Sequence, residues 1–416
     1  MSTNQPVFLF VDIVLFVIAL GLGVPIAVLF IECSAALLPG RSESCMAGVT
    51  RPRVAVLVPA HNEAFGISAT LETILPQLTA QDRLVVIADN CTDETATVAK
   101  RCCEMEGNHT LDAIVVERQE PERRGKGYAL DYGLRCIEGD PPDVVVVVDA
   151  DCIVHQGTIE RIAELAVSNA RPVQATYLME QPAKPGPKDS VSALAFMVKN
   201  LVRPSGLARL RLPCLLTGTG MAFPWSAISL AQLASGNIVE DMQLGIDLAR
   251  AGQPPVFCQE AEVTGRLPQQ QQAAKSQRTR WEHGHLQTLL IQVPQLLRAA
   301  VQKRRFDLLA LALELCVPPL SLLVMIWSAV MGGALFAGVL GASWLPAIFL
   351  AIEGVLILIS IVGAWAKFGR AKLPVLTLLA VPLYILGKIP LYLAFLVRRQ
   401  TKWIRTERDA VEPSES

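Results

Sequence analysis

The chain has 416 residues, of which 52% are hydrophobic, with a formal net charge of -1 and a mean hydropathy of +0.40. This composition is too apolar for an ordinary water-soluble protein, so it predicts a soluble domain combined with membrane segments. The balanced charge argues against nucleic acid as the main partner, and the scattered cysteines, which include no C-x-x-C pair, argue against a disulfide framework or a zinc site.

The first predicted element is a membrane span from Phe8 to Phe30, an almost unbroken apolar stretch that is long enough to cross a bilayer. A signal peptide is disfavoured because no positive charge precedes the stretch and its apolar part is too long. Arg41, Arg51 and Arg53 follow it. The positive-inside rule therefore predicts that the next domain is cytoplasmic and that the N-terminus lies outside.

From Arg53 to about Gln259, short β-branched runs alternate with amphipathic stretches. The predicted strands are Val54–Pro59, Leu84–Asp89, Ala113–Glu117, Val144–Asp149 and Val173–Met179. The predicted helices are Ile67–Gln77, Glu94–Met105, Tyr128–Ile137 and Thr158–Ser168. Such alternation predicts an α/β domain with a mainly parallel sheet. The five consecutive valines of Val144–Val148 are typical of a central strand that is covered on both faces.

The last part of the chain contains further predicted membrane elements. Residues 269–306 predict amphipathic helix at the membrane interface. The segment Leu308–Leu340 allows either an interfacial helix followed by one span or a single long, broken span. Leu345–Trp365 predicts a clear span, and Leu373–Leu396 is long enough for another, although three prolines interrupt it. We expect three C-terminal membrane segments.

The basic runs leave the topology of this region open, because all of them favour the cytoplasm. Either the last segment is re-entrant, or Leu308–Leu340 contains two crossings; the runs are 303–305, 367–372 and 398–405. The sequence thus predicts five regions: a transmembrane segment (1–40), an α/β domain (51–268), interfacial helices (269–306), a transmembrane region (307–397) and a basic, then polar tail (398–416).

Two aspartates, Asp149 and Asp151, follow the valine strand as a D-x-D motif. Side chains at positions i and i+2 of an extended segment point the same way, so the two carboxylates can converge on one cation. Ligands of open α/β sheets bind beyond the carboxyl ends of the strands, where this motif lies. Oxygen ligands suit Mg²⁺ or Mn²⁺, which would bridge a diphosphate. A solvated loop is the alternative for an isolated D-x-D motif.

Four further motifs share the feature that each, taken alone, is also compatible with a simple turn or helix cap. Pro59–Glu63 follows the first strand, and Ala88–Asp93 follows the second. Arg123–Gly127 is a basic, glycine-containing loop that opens a helix and suits an anion. Val239-Glu240-Asp241 precedes an amphipathic stretch. A fifth motif, Gln277-Arg278-Thr279-Arg280-Trp281, lies in the predicted interfacial helix.

In this order the motifs resemble the family 2 inverting glycosyltransferases, in particular the membrane-integral branch that carries Q-x-x-R-W. That branch includes cellulose, hyaluronan, chitin and poly-N-acetylglucosamine synthases, and the ceramide glucosyltransferases are similar. The resemblance covers Arg53 to His285. It implies a GT-A fold, which is Rossmann-like, with flanking transmembrane helices. It also implies transfer of a hexosyl or N-acetylhexosaminyl group from a UDP-sugar, with Mg²⁺ or Mn²⁺, at the cytoplasmic face of a bacterial inner membrane.

The resemblance assigns several residues to the nucleotide. Asp89 would hydrogen-bond the uracil ring, and His61 and Glu63 would line the nucleoside pocket. Lys126 would also contact the nucleotide. The chain departs from many relatives at Asn90, where they have a second aspartate, so a weaker or structural role is expected there.

The resemblance likewise assigns residues to the reaction itself. Asp149 would touch the sugar or the ribose, and Asp149 and Asp151 would hold the metal. Asp241 would be the general base, with Glu240 beside it in the catalytic motif. The residues that would close over the donor and frame the acceptor site are Gln277, Arg280 and Trp281.

Three functions are compatible with the sequence. The first is elongation of an extracellular polysaccharide, for which an oligomer or an export subunit could complete a channel. The second is transfer of a single sugar to a lipid or lipid-linked acceptor. The third, of a different class, is a non-catalytic membrane scaffold or transport subunit, and the presence of Asp149, Asp151, Asp241 and Trp281 argues against it. The small number of membrane segments weakens the first function without excluding it.

Overall fold

A computed structural model describes residues 5–39, 51–105, 111–181, 185–234, 239–266, 271–371 and 373–397. The chain divides into two compact units. The helical unit comprises residues 1–40, 184–210 and 289–398, and the sheet unit comprises 41–183, 211–288 and 399–416. Residues 184–210, which lie inside the predicted domain 51–268, thus group with the helices that flank that domain.

The elements have the following bounds in chain order. The α-helices are α1 Gln5–Leu37, α2 Ile67–Ile74, α3 Thr95–Met105, α4 Lys126–Ile137, α5 Thr158–Asn169, α6 Pro187–Met197, α7 Arg203–Arg209, α8 Trp225–Ile228, α9 Glu240–Arg250, α10 Gln271–Lys303, α11 Phe306–Cys316, α12 Leu320–Val339, α13 Leu345–Ala364, α14 Leu376–Leu379 and α15 Val381–Val397. The strands are β1 Val54–Ala60, β2 Arg83–Asp89, β3 Asp112–Arg118, β4 Val144–Val147, β5 Cys152–Val154, β6 Val173–Met179, β7 Met221–Pro224 and β8 Val256–Gly265.

Within the described residues the strands form one sheet with the order β3-β2-β1-β4-β7-β6-β8-β5. The strands β3, β2, β1 and β4 pair in parallel, and β6 pairs in parallel with β8. The strands β7 and β5 run antiparallel to their neighbours. The predicted α/β architecture is confirmed, but the sheet is mixed. Strands of three and four residues, such as β5 and β7, are too short to give a periodic signal.

The core of the sheet unit explains why the valine run forms the middle of the sheet. All four residues of Val144–Val147 are buried, with β1 on one side and β7 on the other. Helices α4 and α9 contribute Leu134 and Leu244 to a cluster that includes Leu57 and Ile87 of the sheet. The predicted strand Val144–Asp149 is two residues too long, because strand pairing ends at Val147 and the chain then turns.

Three helices of the helical unit are long and apolar enough to cross a membrane within the described residues: Pro6–Leu37, Leu320–Val339 and Leu345–Gly369. Val381–Phe395 is a shorter apolar helix. The expected three C-terminal membrane segments thus appear as two long helices and one short one. The segment Leu308–Leu340 divides into α11 and α12 at Val317, where Pro318 and Pro319 cannot continue a helix.

Contacts at both ends of α1 and α13 show that these two helices run in the same direction. Near their beginnings, the backbone N–H of Ser343 donates to the Asp12 carboxylate at 3.0 Å. Near their ends, the Lys367 ammonium donates to the carbonyl oxygens of Ala36 and Leu37 at 2.9 and 3.1 Å. Helix α12, joined to α13 by a short turn, therefore begins on the side where α1 and α13 end.

A buried ion pair links α1 to α7 in the helical unit. Arg203 Nε donates to Glu32 Oε2 at 2.5 Å, and Arg203 Nη2 donates to the carbonyl oxygen of Glu314 at 2.8 Å. Gly206 permits this close crossing, because a side chain there would collide with the backbone carbonyl of Glu32. Each charge is buried, so each depends on the other for its stability.

A second buried carboxylate in this unit, Glu353 of α13, has a different environment. Its side chain is 3% exposed, and within the described residues neither carboxylate oxygen has a hydrogen-bond partner. Gly23 of α1 lies opposite, where a β-carbon would stand 3.0 Å from Glu353 Oε1. Burial of an unsatisfied polar group is unfavourable, so Glu353 is expected to lower the stability of the helical unit.

We expect Glu353→Met and Glu32→Met to change stability in opposite directions. Glu353→Met removes an unsatisfied polar group and should raise the free energy of unfolding by about 1–3 kcal/mol. Glu32→Met removes the carboxylate that pairs with the buried Arg203 and should lower the free energy of unfolding by about 3–5 kcal/mol. Unfolding of the full-length protein in detergent measures the free energy of unfolding of both variants. A Glu353→Met variant that is as destabilised as Glu32→Met would contradict the inference that Glu353 lowers the stability of the helical unit.

Candidate active site

The D-x-D motif lies in a tight turn beyond the carboxyl end of β4. The N–H of Cys152 donates to the carbonyl oxygen of Asp149 at 3.2 Å, which closes the turn and opens β5. Ligand atoms of Asp149, Asp151 and Cys152 lie within 4.8 Å of one another. Two carboxylates at this spacing suit a hard divalent cation, so these residues fit Mg²⁺ or Mn²⁺.

The first residue of α4, Lys126, lies beside this turn. Gly125 directly precedes Lys126 and has φ 131°, a backbone conformation that glycine adopts readily, so α4 can begin at Lys126. The Lys126 ammonium forms an ion pair with Asp149 Oδ1 and donates to the carbonyl oxygen of Gly218 at 2.6 Å. Asp149 and Gly218, which are 23 and 92 positions from Lys126 in the chain, thus both contact its ammonium group.

The segment Thr217–Gly220 also lines the site, next to the D-x-D turn and Lys126. A side chain of β6 holds this segment in place through hydrogen bonds. Gln174, which is buried, accepts from the N–H of Thr217 at 2.8 Å and donates to the carbonyl oxygen of Thr219 at 2.9 Å. Thr219 Oγ1 in turn accepts from the N–H of Asp149 at 3.1 Å. The resemblance implied that Thr217–Gly220 lies near the acceptor, but sequence patterns did not identify Gln174, because its role arises only from contacts distant in the chain.

Glu240 and Asp241 begin α9, and Asp241 faces the same segment. A β-carbon at Gly218 would lie 3.2 Å from Asp241 Oδ2 and 3.7 Å from Lys126 Nζ. Gly218 also has φ +98°, a backbone conformation that side-chain-bearing residues rarely adopt. Glycine is therefore required here, and it lets the Asp241 carboxylate and the Lys126 ammonium approach the same point.

The charges of this site shift one another's proton affinity. Burial lowers the pKa of Lys126, but the negative charges of Asp149 and Glu240 outweigh it and hold that pKa above its ordinary value. Burial raises the pKa of Asp149 despite the nearby Lys126 ammonium. Burial and the neighbouring Asp241 raise the pKa of Glu240 to about 7. Near neutral pH the site therefore holds a cationic lysine and a partly protonated Glu240.

We expect Glu240→Gln to remove part of the pH dependence of stability. A carboxyl group whose pKa rises from 4.5 to about 7 on folding stabilises the protein below pH 4.5, and this contribution is lost as the pH rises through 7. The variant should match the wild type at pH 4 and exceed its free energy of unfolding at pH 8 by roughly 2–3 kcal/mol. Thermal unfolding without divalent cations measures this, with Glu260→Gln as an exposed control. Parallel pH profiles for wild type and Glu240→Gln would refute the expectation.

The loops after β1 and β2 are joined to each other and contain the predicted nucleoside residues. His61 Nδ1 lies 2.6 Å from the carbonyl oxygen of Asp89. Asn62 and Thr92 exchange hydrogen bonds of 2.9 and 2.8 Å between the loops. Glu63 is buried in the first loop. The two loops therefore form one connected edge at the carboxyl ends of neighbouring strands.

Asp89 forms a buried ion pair that the sequence analysis missed. Arg118 Nη1 donates to Asp89 Oδ1 at 2.5 Å, and Asn90 Nδ2 donates to the same oxygen at 3.0 Å. Arg118 also pairs with Glu120 at 2.9 Å and lies 5.7 Å from the centre of the Tyr128 ring. Within the described residues Asp89 Oδ2 accepts no hydrogen bond, so it is available to a ligand donor. The parallel register of β2 and β3, which sets Asp89 opposite Arg118, could have revealed the pair.

The Q-x-x-R-W motif lies on α10, in the part that belongs to the sheet unit. Gln277, Arg280 and Trp281 occupy positions i, i+3 and i+4, so they share one helix face. Gln277 is buried, and its Oε1 atom has no hydrogen-bond partner within the described residues. A buried amide oxygen without a partner is a position at which a ligand donor would be stabilised.

Comparison with known proteins agrees with this geometry. The family described as "Glycosyltransferase like family 2" matches residues 52–284. The probable glycosyltransferase YdaM of Bacillus subtilis (strain 168) is 33% identical over 102 residues, which are 24% of this chain and 23% of that protein. The match therefore spans about a quarter of that relative.

Solved structures of glycosyltransferases also align with this chain. The mannosyltransferase PcManGT from Pyrobaculum calidifontis, solved in complex with GDP-Man and Mn²⁺, aligns with a TM-score of 0.55 and 20% identity over 86% of this chain and 99% of that chain. A glucosyl-3-phosphoglycerate synthase from Mycobacterium tuberculosis, solved with Mg²⁺ and UDP, aligns with a TM-score of 0.36 and 23% identity over 55% of this chain and 75% of that chain.

These comparisons confirm the predicted fold class, a GT-A domain with apolar helices in the N- and C-terminal regions. The family match covers more than half of the chain and includes the turn with Asp149, the start of α9 with Asp241 and the whole Q-x-x-R-W motif. This protein therefore belongs to the glycosyltransferase-like family 2.

Proposed function

We propose that this protein is a membrane-bound inverting glycosyltransferase that transfers a hexosyl or N-acetylhexosaminyl group from a UDP-sugar to an acceptor hydroxyl. The observation that carries this proposal is the convergence of Lys126 and Asp241 on Gly218, beside the D-x-D turn. A cation, a carboxylate base and a pair of metal-binding carboxylates are the groups that sugar transfer from a nucleotide diphosphate needs.

The proposed reaction is a direct displacement at the anomeric carbon. Asp241 accepts the proton of the acceptor hydroxyl as its oxygen bonds to that carbon, while the bond to the diphosphate breaks on the opposite face. Lys126 and Arg280 are the protein cations that would stabilise the departing diphosphate. When bound by Asp149 and Asp151, a divalent cation would neutralise further charge on the phosphate oxygens. Trp281 offers a flat apolar face and an N–H donor to a sugar ring.

Recognition of the nucleoside is proposed to involve the edge formed by the first two loops. The Oδ2 atom of Asp89 is an acceptor, which suits the imide N–H of uracil. Arg118 and Asn90 hold the other oxygen of the carboxylate and so fix its orientation. His61 and Glu63 lie in the adjoining loop, where they would line the nucleoside pocket.

The acceptor has two candidate classes. The motif set led us to expect a growing polysaccharide, for example in exopolysaccharide biosynthesis. The three candidate spans favour instead a lipid or lipid-linked acceptor, because a channel for a polymer needs enough helices to enclose it. Either acceptor would be used at the cytoplasmic face of a bacterial inner membrane, where Arg41, Arg51 and Arg53 predict the catalytic domain to lie.

Isolated membranes that contain the protein provide the test. They are incubated with radiolabelled UDP-sugars, and with GDP-sugars as a comparison, in the presence of Mn²⁺. Products are extracted into organic solvent and sized. A labelled lipid carrying one sugar supports the second class of acceptor, and a polymer supports the first. Membranes with Asp241→Asn are the matched control, and labelling equal to wild type in those membranes would overturn the proposal.

A further inference from the structure

The last helix of the helical unit, α15, differs from the candidate spans in length and composition. Its 17 residues extend about 25 Å, which is less than the hydrocarbon core of about 30 Å. Lys388 lies near its middle, and Pro390 lacks the N–H that the preceding turn needs. A helix of this length that also lacks one backbone hydrogen bond is poorly suited to cross the hydrocarbon core.

A contact between α15 and α12 shows at what depth α15 lies. The hydroxyl groups of Tyr392 and Ser321 are 2.6 Å apart. Ser321 is in the first turn of α12, on the side where α1 and α13 end. Tyr392 comes eleven residues after Val381, and a helix along the membrane normal would have risen about 16 Å by that point. Because Tyr392 still meets the first turn of α12, α15 gains little depth.

The two faces of α15 have different surroundings. Lys388, Tyr392 and Phe395 are buried against the helical unit, where α15 packs on α6 and α12. The opposite face is apolar and exposed, and we call it the leucine face; it contains Leu383, Leu386 and Leu393, which are 72%, 60% and 56% exposed. An exposed apolar face beside a spanning helix is a surface that lipid covers.

We propose that α15 is a membrane-surface helix, whose leucine face inserts into the lipid leaflet on the side where α1 ends. The occupant of this face is lipid, because α15 packs on α12, a candidate span that lipid surrounds. The chain then does not cross the membrane after α13. The sequence after Val397 is basic, and cations are favoured on the side of the membrane where the other basic runs lie; its basic residues are Arg398, Arg399, Lys402, Arg405 and Arg408.

This arrangement places every basic run on one side of the membrane, the side from which the chain continues from α1 into the glycosyltransferase domain. A further crossing would separate the run after Val397 from the others. The inference goes beyond the proposed function, since it depends on neither the donor nor the acceptor. It also predicts that the two termini of the protein lie on opposite sides.

Depth measurements on the full-length protein in vesicles test the orientation of α15. A fluorescent amino acid is incorporated at Leu383 or at Leu393 and quenched by lipids that are brominated at different depths. We expect the same shallow depth at both positions. The control pair is Ile348 and Leu358 of α13, also exposed and ten residues apart, whose depths should differ by about 15 Å. A difference of about 15 Å within the α15 pair, or no quenching by lipid at either position, would overturn the proposal. Deep quenching at both positions would overturn it as well, because Leu383 and Leu393 lie on either side of the middle of a spanning α15.

Sidedness is tested separately with a membrane-impermeant maleimide and identification of the labelled peptides. The exposed native Cys136 marks the side of the glycosyltransferase domain. We expect the introduced cysteine of Ser414→Cys to react from the same side as Cys136, and that of Thr3→Cys to react from the opposite side. Labelling of Ser414→Cys together with Thr3→Cys would show that α15 crosses the membrane and would overturn the proposal.

Discussion

Replacement of Asp241 by asparagine is expected to lower kcat by about 10²- to 10⁴-fold, with UDP binding nearly unchanged. Asparagine keeps the size of the side chain and its position beside Gly218, but it cannot accept the proton of the acceptor hydroxyl. The groups proposed to hold the nucleotide, Asp89 and the D-x-D turn, are untouched. A transfer assay gives kcat, and calorimetry with UDP and Mn²⁺ gives the affinity.

A change at Asp89 is the matched control, because it should have the opposite effect. Asp89→Asn is preferable to Asp89→Ala, since asparagine keeps an acceptor oxygen for the buried Arg118 Nη1, whereas alanine removes it. Loss of a charged acceptor costs about 1.5–3 kcal/mol, which corresponds to roughly 10- to 100-fold weaker UDP binding. If Asp241→Asn abolished UDP binding while Asp89→Asn did not, the two roles would be assigned wrongly.

Removal of divalent cations is expected to stop sugar transfer, and addition of Mn²⁺ or Mg²⁺ should restore it. The reason is charge: the D-x-D turn holds two carboxylates, and the single positive charge of Lys126 beside them does not offset both, so a divalent cation would reduce their repulsion of a diphosphate. Asp151→Asn should weaken Mn²⁺ binding by at least about 10²-fold, since changes to outer-shell partners alone typically cost 10–100-fold.

Calorimetric titration with Mn²⁺ measures this binding without any need for activity. Asp247→Asn is a suitable control, because Asp247 is an exposed carboxylate on α9 outside the turn. Its affinity for Mn²⁺ should equal that of the wild type. Unchanged Mn²⁺ affinity in Asp151→Asn, or full transfer activity in chelator, would show that the turn is not a metal site.

Local sequence determined much of the secondary structure. Val173–Met179 is a strand with the predicted bounds, and the polar, helix-prone segment from residue 269 onward forms α10. The turn residues after β4 were identified as a candidate metal site, because two carboxylates beyond a buried strand are a local signal. Such signals extend over a few neighbouring residues, and periodicity is enough to read them.

Two kinds of error show where local signals end. The short strands β5 and β7 were missed, and with them the mixed character of the sheet, because three or four residues carry no period. The segment 184–210 was included in the α/β domain, whereas its helix α7 packs closely on α1 through Gly206 and the Arg203–Glu32 ion pair. Nothing in that segment's own sequence specifies a partner about 170 residues away.

The sequence by itself therefore determined the class of the fold, the apolar helices and the identity of the acidic, basic and aromatic candidates. Only the tertiary structure decided how these candidates are arranged. It pairs Lys126 with Asp149 and Arg118 with Asp89. It also sets the hydrogen bonds of Gln174 to the segment Thr217–Gly220 and of Tyr392 to the first turn of α12. The physical reason is that each of these contacts joins residues at least 23 positions apart. Such contacts follow from the order of strands in the sheet and the packing of helices, and a local pattern of hydrophobic and polar residues does not encode either.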